Sequence, residues 1–168
     1  MAKSIKLGQL GAELKKALAD EQDFIKDNGE KAVRIAAIKT FSKIIKMTPV
    51  GNPDLWVYNH PTRGFIDYVG YFGRPDYVGG RARSNWFIGD AVLARITDST
   101  KSKGADYVAG ALPAKLLGNK TYLYNNLPYI EALEFGHSTQ APAGMVRVSL
   151  LSWDRVLNKA FKDLKWHT

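Results

Sequence analysis

From residue 5 to residue 47 apolar side chains recur at steps of three and four with no proline between them, a period that predicts helix rather than strand. Asn28-Gly29 offers the natural break, so the expectation is two helices. Leu7, Leu10, Leu14 and Leu18 form a narrow stripe on the first. On the second, Val33, Ala36, Ala37, Thr40, Phe41 and Ile44 make a face for burial, while Lys31, Arg34, Lys39, Lys43 and Lys46 point the other way. Ile35, Ile38 and Ile45 fall within that basic arc. A monomer has no use for apolar residues among solvent-facing lysines. They are either a contact with another subunit, which the lysines would share, or ordinary scatter on a solvated face.

Pro49 stops this helical part, and residues 51–80 change character to glycine, proline and aromatics, among them Trp56, Tyr58, Phe65, Tyr68, Tyr71, Phe72 and Tyr77. So long a stretch either carries irregular strands or serves binding. The aromatics, interleaved with Arg63 and Arg74, could pack on their own domain, meet a protein partner or stack on unpaired bases; no single-strand-binding motif supports the last.

Residues 81–88 alternate, which predicts a strand with Arg81, Arg83 and Asn85 on one face and Ala82, Ser84, Trp86 and Ile88 on the other, Trp86 anchoring the core. Residues 91–96 look like a second strand, 105–117 like a short helix interrupted by Pro113, and 120–124 like another strand. Pro128 is placed to open a brief helix over 129–135, with Ile130 and Leu133 inward and Gly136 as its left-handed cap. Residues 145–150 alternate again and predict a strand. Ser152 can then cap a final helix whose Trp153, Val156, Leu157, Ala160 and Leu164 share a face. The sum is an α+β domain: N-terminal helices and a C-terminal helix on a small, mostly antiparallel sheet, with one long aromatic-rich loop.

Length narrows this to a single domain over residues 1–168, helical over 1–47, looped over 51–80, with sheet and C-terminal helix over 81–168. The absence of cysteine excludes disulfides, thiolate metal sites and cysteine nucleophiles. No segment has the length of a signal peptide's apolar core or of a membrane span, so a soluble, cytoplasmically made protein with no membrane partner is expected. A formal net charge of +8 favours an acidic partner without choosing among nucleic acid, anionic membrane and protein.

A catalytic constellation is not found. There is no phosphate-binding glycine loop, no dinucleotide fingerprint and no nucleophile elbow. His137 with Glu131 and Glu134 could share a helical face, but Gly136 should end the helix before His137, which weakens a metal triad. No cofactor, metal or catalytic residue is expected.

Several short motifs occur in a definite order. Thr48-Pro49-Val50 follows the helical part, and Gly79-Gly80-Arg81-Ala82-Arg83-Ser84-Asn85-Trp86 comes after the aromatic stretch. Asn125-Asn126-Leu127-Pro128-Tyr129, Glu134-Phe135-Gly136-His137-Ser138 and Gln140-Ala141-Pro142-Ala143-Gly144-Met145-Val146 then succeed one another. This succession, covering residues 48–148, resembles the neck or tail-completion family of long-tailed double-stranded DNA bacteriophages, also described as minor tail proteins. The stretch over 51–78 is longer than the spacer of the shorter family members. The resemblance implies a structural virion protein with no catalytic residues: a homo-oligomeric ring where capsid meets tail, contacting connector or head-completion proteins on one side and tail terminator or tail tube proteins on the other. Its place would be the virion neck, and the host cytoplasm during assembly.

Physics gives the motif residues structural duties. Pro49, Gly80, Asn126, Pro128, Gly136, Pro142 and Gly144 set turns, Trp86 anchors the sheet, and Tyr129 and Phe135 pack beside the short helix. Arg81 and Arg83 could bind Glu131 or Glu134 of the same or the next subunit, solvent exposure being the alternative. The expected interface thus comprises Ile35, Ile38, Ile45, Lys39, Lys43, Lys46, Trp56, Tyr68, Tyr71, Phe72, Arg81, Arg83, Glu131 and Glu134. Six spheres of roughly 35 Å leave a hole of about that width, enough for a DNA duplex of about 20 Å. A hexamer would pass genomic DNA through its lumen, and lysines on the bore would hinder ejection, so the positive charge is expected on outer or axial faces. A tail terminator is the rival within this class, and a nucleic-acid-binding module the rival from another.

Overall fold

A computed structural model describes residues 7–51, 57–60, 64–67 and 78–164, with side chains over 11–51 and 78–164. One helix, α1 (Leu7–Met47), runs without interruption through the expected break at Asn28-Gly29. Gly29 lies where a Cβ would come 3.3 Å from the Leu117 Cδ1 methyl. The Glu30 carboxylate accepts the backbone N–H of Leu116 at 2.7 Å and of Leu117 at 2.9 Å, while Arg34 donates to the carbonyls of Pro113 and Ala114. Contacts from far along the chain therefore clamp the helix where its own sequence is weakest and offset the glycine's cost of about 1 kcal/mol.

Two antiparallel strands, β1 (Val57–His60) and β2 (Gly64–Asp67), pair within the aromatic stretch, Val57 opposite Asp67 and His60 opposite Gly64. After Gly80 come a single helical turn, α2 (Arg81–Ser84), and the short strand β3 (Phe87–Gly89). Next are α3 (Ala105–Ala111) and β4 (Tyr122–Tyr124), which pairs antiparallel with β3, Phe87 opposite Tyr124. The chain closes with α4 (Ile130–Glu134), α5 (Val146–Leu150) and α6 (Trp153–Asp163). Helices with small antiparallel strand pairs make an α+β chain. The strands form two separate pairs rather than one sheet.

Three local expectations are corrected. Residues 81–84 are helical, because Gly80 at φ +110 turns the chain and Asn85 and Ser84 return their side chains to the Arg81 carbonyl. Residues 91–96 are irregular, with Val92, Leu93 and Ile96 each at least half exposed. Residues 146–150, read as a strand from their alternation, form a helix capped by a carboxylate from elsewhere in the chain, as described below.

The second half of α1 is the hub: α2, α3, α5 and α6 all pack on it. Ala36, Ala37, Thr40 and Ile44 are buried as their spacing predicts, and with Trp86, Val108, Leu112 and Met145 they build the core. Ile130 and Leu133 pack inward against it, as does Trp153. Ile45, expected on the solvent side, is fully buried, because helices lie against α1 on more than one side of its last turns. The first half of α1 differs: from Gly11 to Asp27 every side chain except Phe24 is exposed.

Candidate functional site

The motif residues scattered over 48–147 converge on three joints. The first closes the C-terminal end of α1, whose last carbonyls lack intrahelical partners. Thr48, fully buried, donates its hydroxyl to the Ile44 carbonyl at 2.9 Å and accepts the Trp86 indole N–H at 2.7 Å. Arg83 donates Nε and Nη2 to the Thr48 carbonyl at 3.1 and 2.8 Å, and Nη2 also reaches the Lys46 carbonyl at 2.8 Å. A guanidinium across a helix C-terminus also faces the negative end of the helix dipole. Gln140 extends the joint, exchanging hydrogen bonds with both backbone groups of Val50 at 3.2 and 2.9 Å.

The second joint holds the irregular segment 90–104. Asn85, 0% exposed, donates to the carbonyls of Arg81 and Thr97 at 2.7 and 2.8 Å and accepts the Thr97 N–H at 2.7 Å. Ser84 donates to the Ser99 carbonyl, and Asn126 to those of Leu93 and Arg95. Lys103 lies with its ammonium 3.8 Å from the Phe87 ring centre and 4.5 Å from that of Tyr107, donating to the Trp86 carbonyl at 2.6 Å. The Arg95 guanidinium also stacks on Phe87, at 4.6 Å. Burial, and then the nearby Arg95 charge, push the Lys103 amine down to about 8. Burial likewise raises the Tyr107 phenol above its ordinary value.

The third joint is a carboxylate clamp. Glu134, at the end of α4, accepts the backbone N–H groups of Met145, Val146 and Arg147 at 2.9, 2.8 and 3.0 Å, satisfying the orphan donors that open α5. Arg147 returns Nε to the same carboxylate at 3.2 Å and Nη2 to the Glu134 carbonyl at 2.7 Å. Burial alone would raise this carboxyl; the three N–H groups and the Arg147 side chain outweigh it and hold the group below the usual glutamate range. Two glycines at positive φ make the approach possible. At Gly144 (φ +84) a Cβ would collide with the Glu134 carbonyl oxygen, and at Gly136 (φ +89) with that of Pro142.

This geometry commits three residues of the expected interface, Ile45, Arg83 and Glu134, to contacts within the chain. Arg83 is spent on its own helix terminus, and Arg81 pairs with the exposed Asp98 at 2.8 Å; neither meets Glu131, which is exposed, or Glu134. Ile45 belongs to the core, and Ile38 packs partly buried against it. Ile35 is half-buried, Lys39 and Lys46 are exposed, and Lys43 lies half-buried with its ammonium 3.3 Å from the Ser152 hydroxyl. Tyr129 and Phe135, expected as packing residues, are 41% and 66% exposed, the Arg147 guanidinium stacking on Phe135 at 4.8 Å. Trp56, Tyr68, Tyr71 and Phe72 lie outside the described residues. Pro49 is buried behind Thr48, while Pro128 and Pro142 stand at the surface.

Among the described residues no group of three or more histidine, cysteine, aspartate or glutamate side chains is arranged to hold a metal ion, and no helix is long and apolar enough to cross a membrane. His137 is exposed, and Glu134 is committed to the clamp. The surface offers more. Val92, Leu93 and Ile96 stand half or more exposed along an open groove completed by Ala94 and Asn126. Leu14, Leu18 and Ile25 stand 60%, 56% and 50% exposed on the first half of α1. Sequence reasoning placed Leu14 and Leu18 in a stripe and missed the groove, because the apolar run over 91–96 reads as a strand. No family model, no curated protein and no solved structure matches this chain.

Proposed function

We propose that the chain is a structural component of a phage virion, a homo-oligomeric ring at the neck that joins the capsid connector to the tail and lets DNA pass through its lumen. One observation carries the reading beside the motif resemblance: the residues of the motif succession are consumed in joints between backbone segments. Thr48, Arg83, Asn85, Glu134 and Gln140 all hold carbonyls or N–H groups of their own chain, and the Trp86 indole N–H is itself held by the Thr48 hydroxyl. A succession of motifs that builds a rigid body, instead of presenting reactive groups, is what a part made to be assembled requires. Exposed apolar side chains on both α1 and the 91–96 segment supply surfaces for that assembly. The exposed Lys39 and Lys46 would face acidic neighbours rather than the lumen.

Particles produced without this protein test the reading. Filled heads lying apart from finished tails are expected. Tails of unregulated length would replace the joining role with that of a terminator, and infectious particles of normal form would overturn the assignment.

A further inference from the structure

Residues 92–104 form neither helix nor strand, and no turn or bend interrupts them, yet their backbone hydrogen bonds follow a period of two. The carbonyls of Leu93, Arg95, Thr97 and Ser99 each accept from a side chain of the body, Asn126, Asn85 or Ser84. The N–H groups of Arg95, Thr97, Ser99 and Lys101 are engaged too, at 2.8, 2.7, 3.2 and 3.2 Å. All of these are odd positions. Between them, at Val92, Ala94, Ile96 and Asp98, no backbone group is hydrogen-bonded among the described residues. In an extended chain alternate residues turn their N–H and C=O to opposite edges. One edge of 92–98 is thus fastened by side chains that stand in for a neighbouring strand, and the other is open.

The open edge carries two chemical features. Val92, Leu93 and Ile96, each at least half exposed, line an aliphatic groove along it. Arg95, between Ala94 and Ile96, shares the Phe87 ring with Lys103, and neither cation has an ion-pair partner among the described residues. Of the acids nearest in sequence, Asp98 pairs with Arg81, while Asp90 and Asp106 stand exposed and reach neither cation. Lys103 feels the Arg95 charge as repulsion, which an incoming carboxylate would relieve, and a guanidinium offers that group two parallel donors. Phe87 is 4% exposed with both cations over it, so it leaves no open ring on which a nucleic-acid base could stack.

We propose that residues 92–98 are a docking edge for an extended segment of a partner protein, which adds as a strand, seats alternate aliphatic side chains in the groove and gives a carboxylate to Arg95 and Lys103. Because the segment is already held in one conformation, little ordering opposes the docking. The inference goes beyond the ring reading, and nothing in it requires a ring.

Fluorescence anisotropy with the full chain tests it. The labelled probes are a heptapeptide of alternating valine and glutamate, its counterpart with lysine for glutamate, and the glutamate peptide with every N–H methylated. A Kd of about 100 μM is expected for the first, with binding of the other two weaker by about tenfold or more. Arg95→Gln, an exposed position whose change should leave the far-UV circular dichroism unaltered, should weaken the glutamate peptide by about tenfold. No binding of that peptide at about 1 mM would overturn the proposal. Equal binding of the methylated peptide would overturn the backbone edge, and equal binding of the lysine peptide the carboxylate. Labelled single-stranded DNA bound in place of the peptide, and released by Arg95→Gln, would give the site to nucleic acid. A wild type that self-associates where Arg95→Gln does not would give it to a second copy. Either result would overturn the partner named here.

Discussion

Thr48→Val isolates one hydrogen bond in the joint beneath α1. The substitution preserves shape, so it opens almost no cavity, but it removes the acceptor of the Trp86 indole N–H, in a side chain only 4% exposed. The Ile44 carbonyl loses the Thr48 hydroxyl yet keeps the Thr48 backbone N–H at 3.1 Å, so its loss is the smaller one. Stranding a buried donor costs about 1–3 kcal/mol, and the exchange of hydroxyl for methyl returns a fraction of that, so a net destabilisation of about 2 kcal/mol is expected. For a domain of this size that lowers Tm by about 4–8 °C. Thr48→Ser keeps both bonds, deletes one methyl and should cost about 1 kcal/mol. Urea unfolding followed by tryptophan fluorescence measures both, at one protomer concentration, since any self-association adds concentration-dependent stability. Adding Trp86→Phe completes a double-mutant cycle in which the pair should couple by about 1–2 kcal/mol. A Thr48→Val protein as stable as Thr48→Ser, or a cycle with no coupling, would refute the reasoning.

Other joints yield sharper pH behaviour. Because the folded Glu134 carboxyl lies below its unfolded value, it stabilises the protein above the ordinary glutamate range, and that stability is lost as pH falls through the lowered folded value. Glu134→Gln should therefore cost about 2 kcal/mol at neutral pH, with the gap to wild type narrowing in acid, as chemical denaturation at each pH would reveal; a gap independent of pH would refute the clamp. Lys103 runs the other way: its folded amine is lowered to about 8 from an ordinary 10.5, so the unfolded chain binds more protons between those values and stability rises with pH across that window. After reductive methylation with labelled formaldehyde, the Lys103 resonance should titrate near 8; a Lys103 resonance titrating at its ordinary 10.5 would be the contrary result. Gly144→Ala forces a side chain into φ +84 and against the Glu134 carboxylate, whose Oε1 would lie 2.7 Å from the new Cβ, and should cost about 2 kcal/mol by thermal or urea unfolding. A neutral effect there would mean that the turn can rearrange.

Much of this architecture could be read from spacing because the forces behind it are local. The buried face of α1, the anchoring of Trp86 and the left-handed Gly136 each follow from period or from one residue's conformational preference. What escaped was decided by groups distant in sequence. Gly29 stays helical because Leu116 and Leu117 lie against the next turn, and residues 146–150 coil because a carboxylate at 134 caps them. Arg81 and Arg83 alternate as they would on a strand, yet Gly80 and Asn85 wind them into a turn, which splits their partners between Asp98 and the α1 terminus. Ile45 lies on the side of α1 that carries lysines, and only a hub with helices on several sides explains its burial. Leu14 and Leu18 were legible as part of a stripe; their exposure was not, since that depends on how far the body reaches along the helix.

A rod held firmly at one end transmits displacement applied at the other. In α1 the anchored end is also the wall on which α2, α3, α5 and α6 rest, and there is no hinge between it and the tip. A tilt imposed at Leu14 would therefore arrive at Thr48, Arg83 and Trp86 as strain on their hydrogen bonds. A load applied to the exposed half of the helix would thus be felt as a change in the hydrogen bonds beneath its other end.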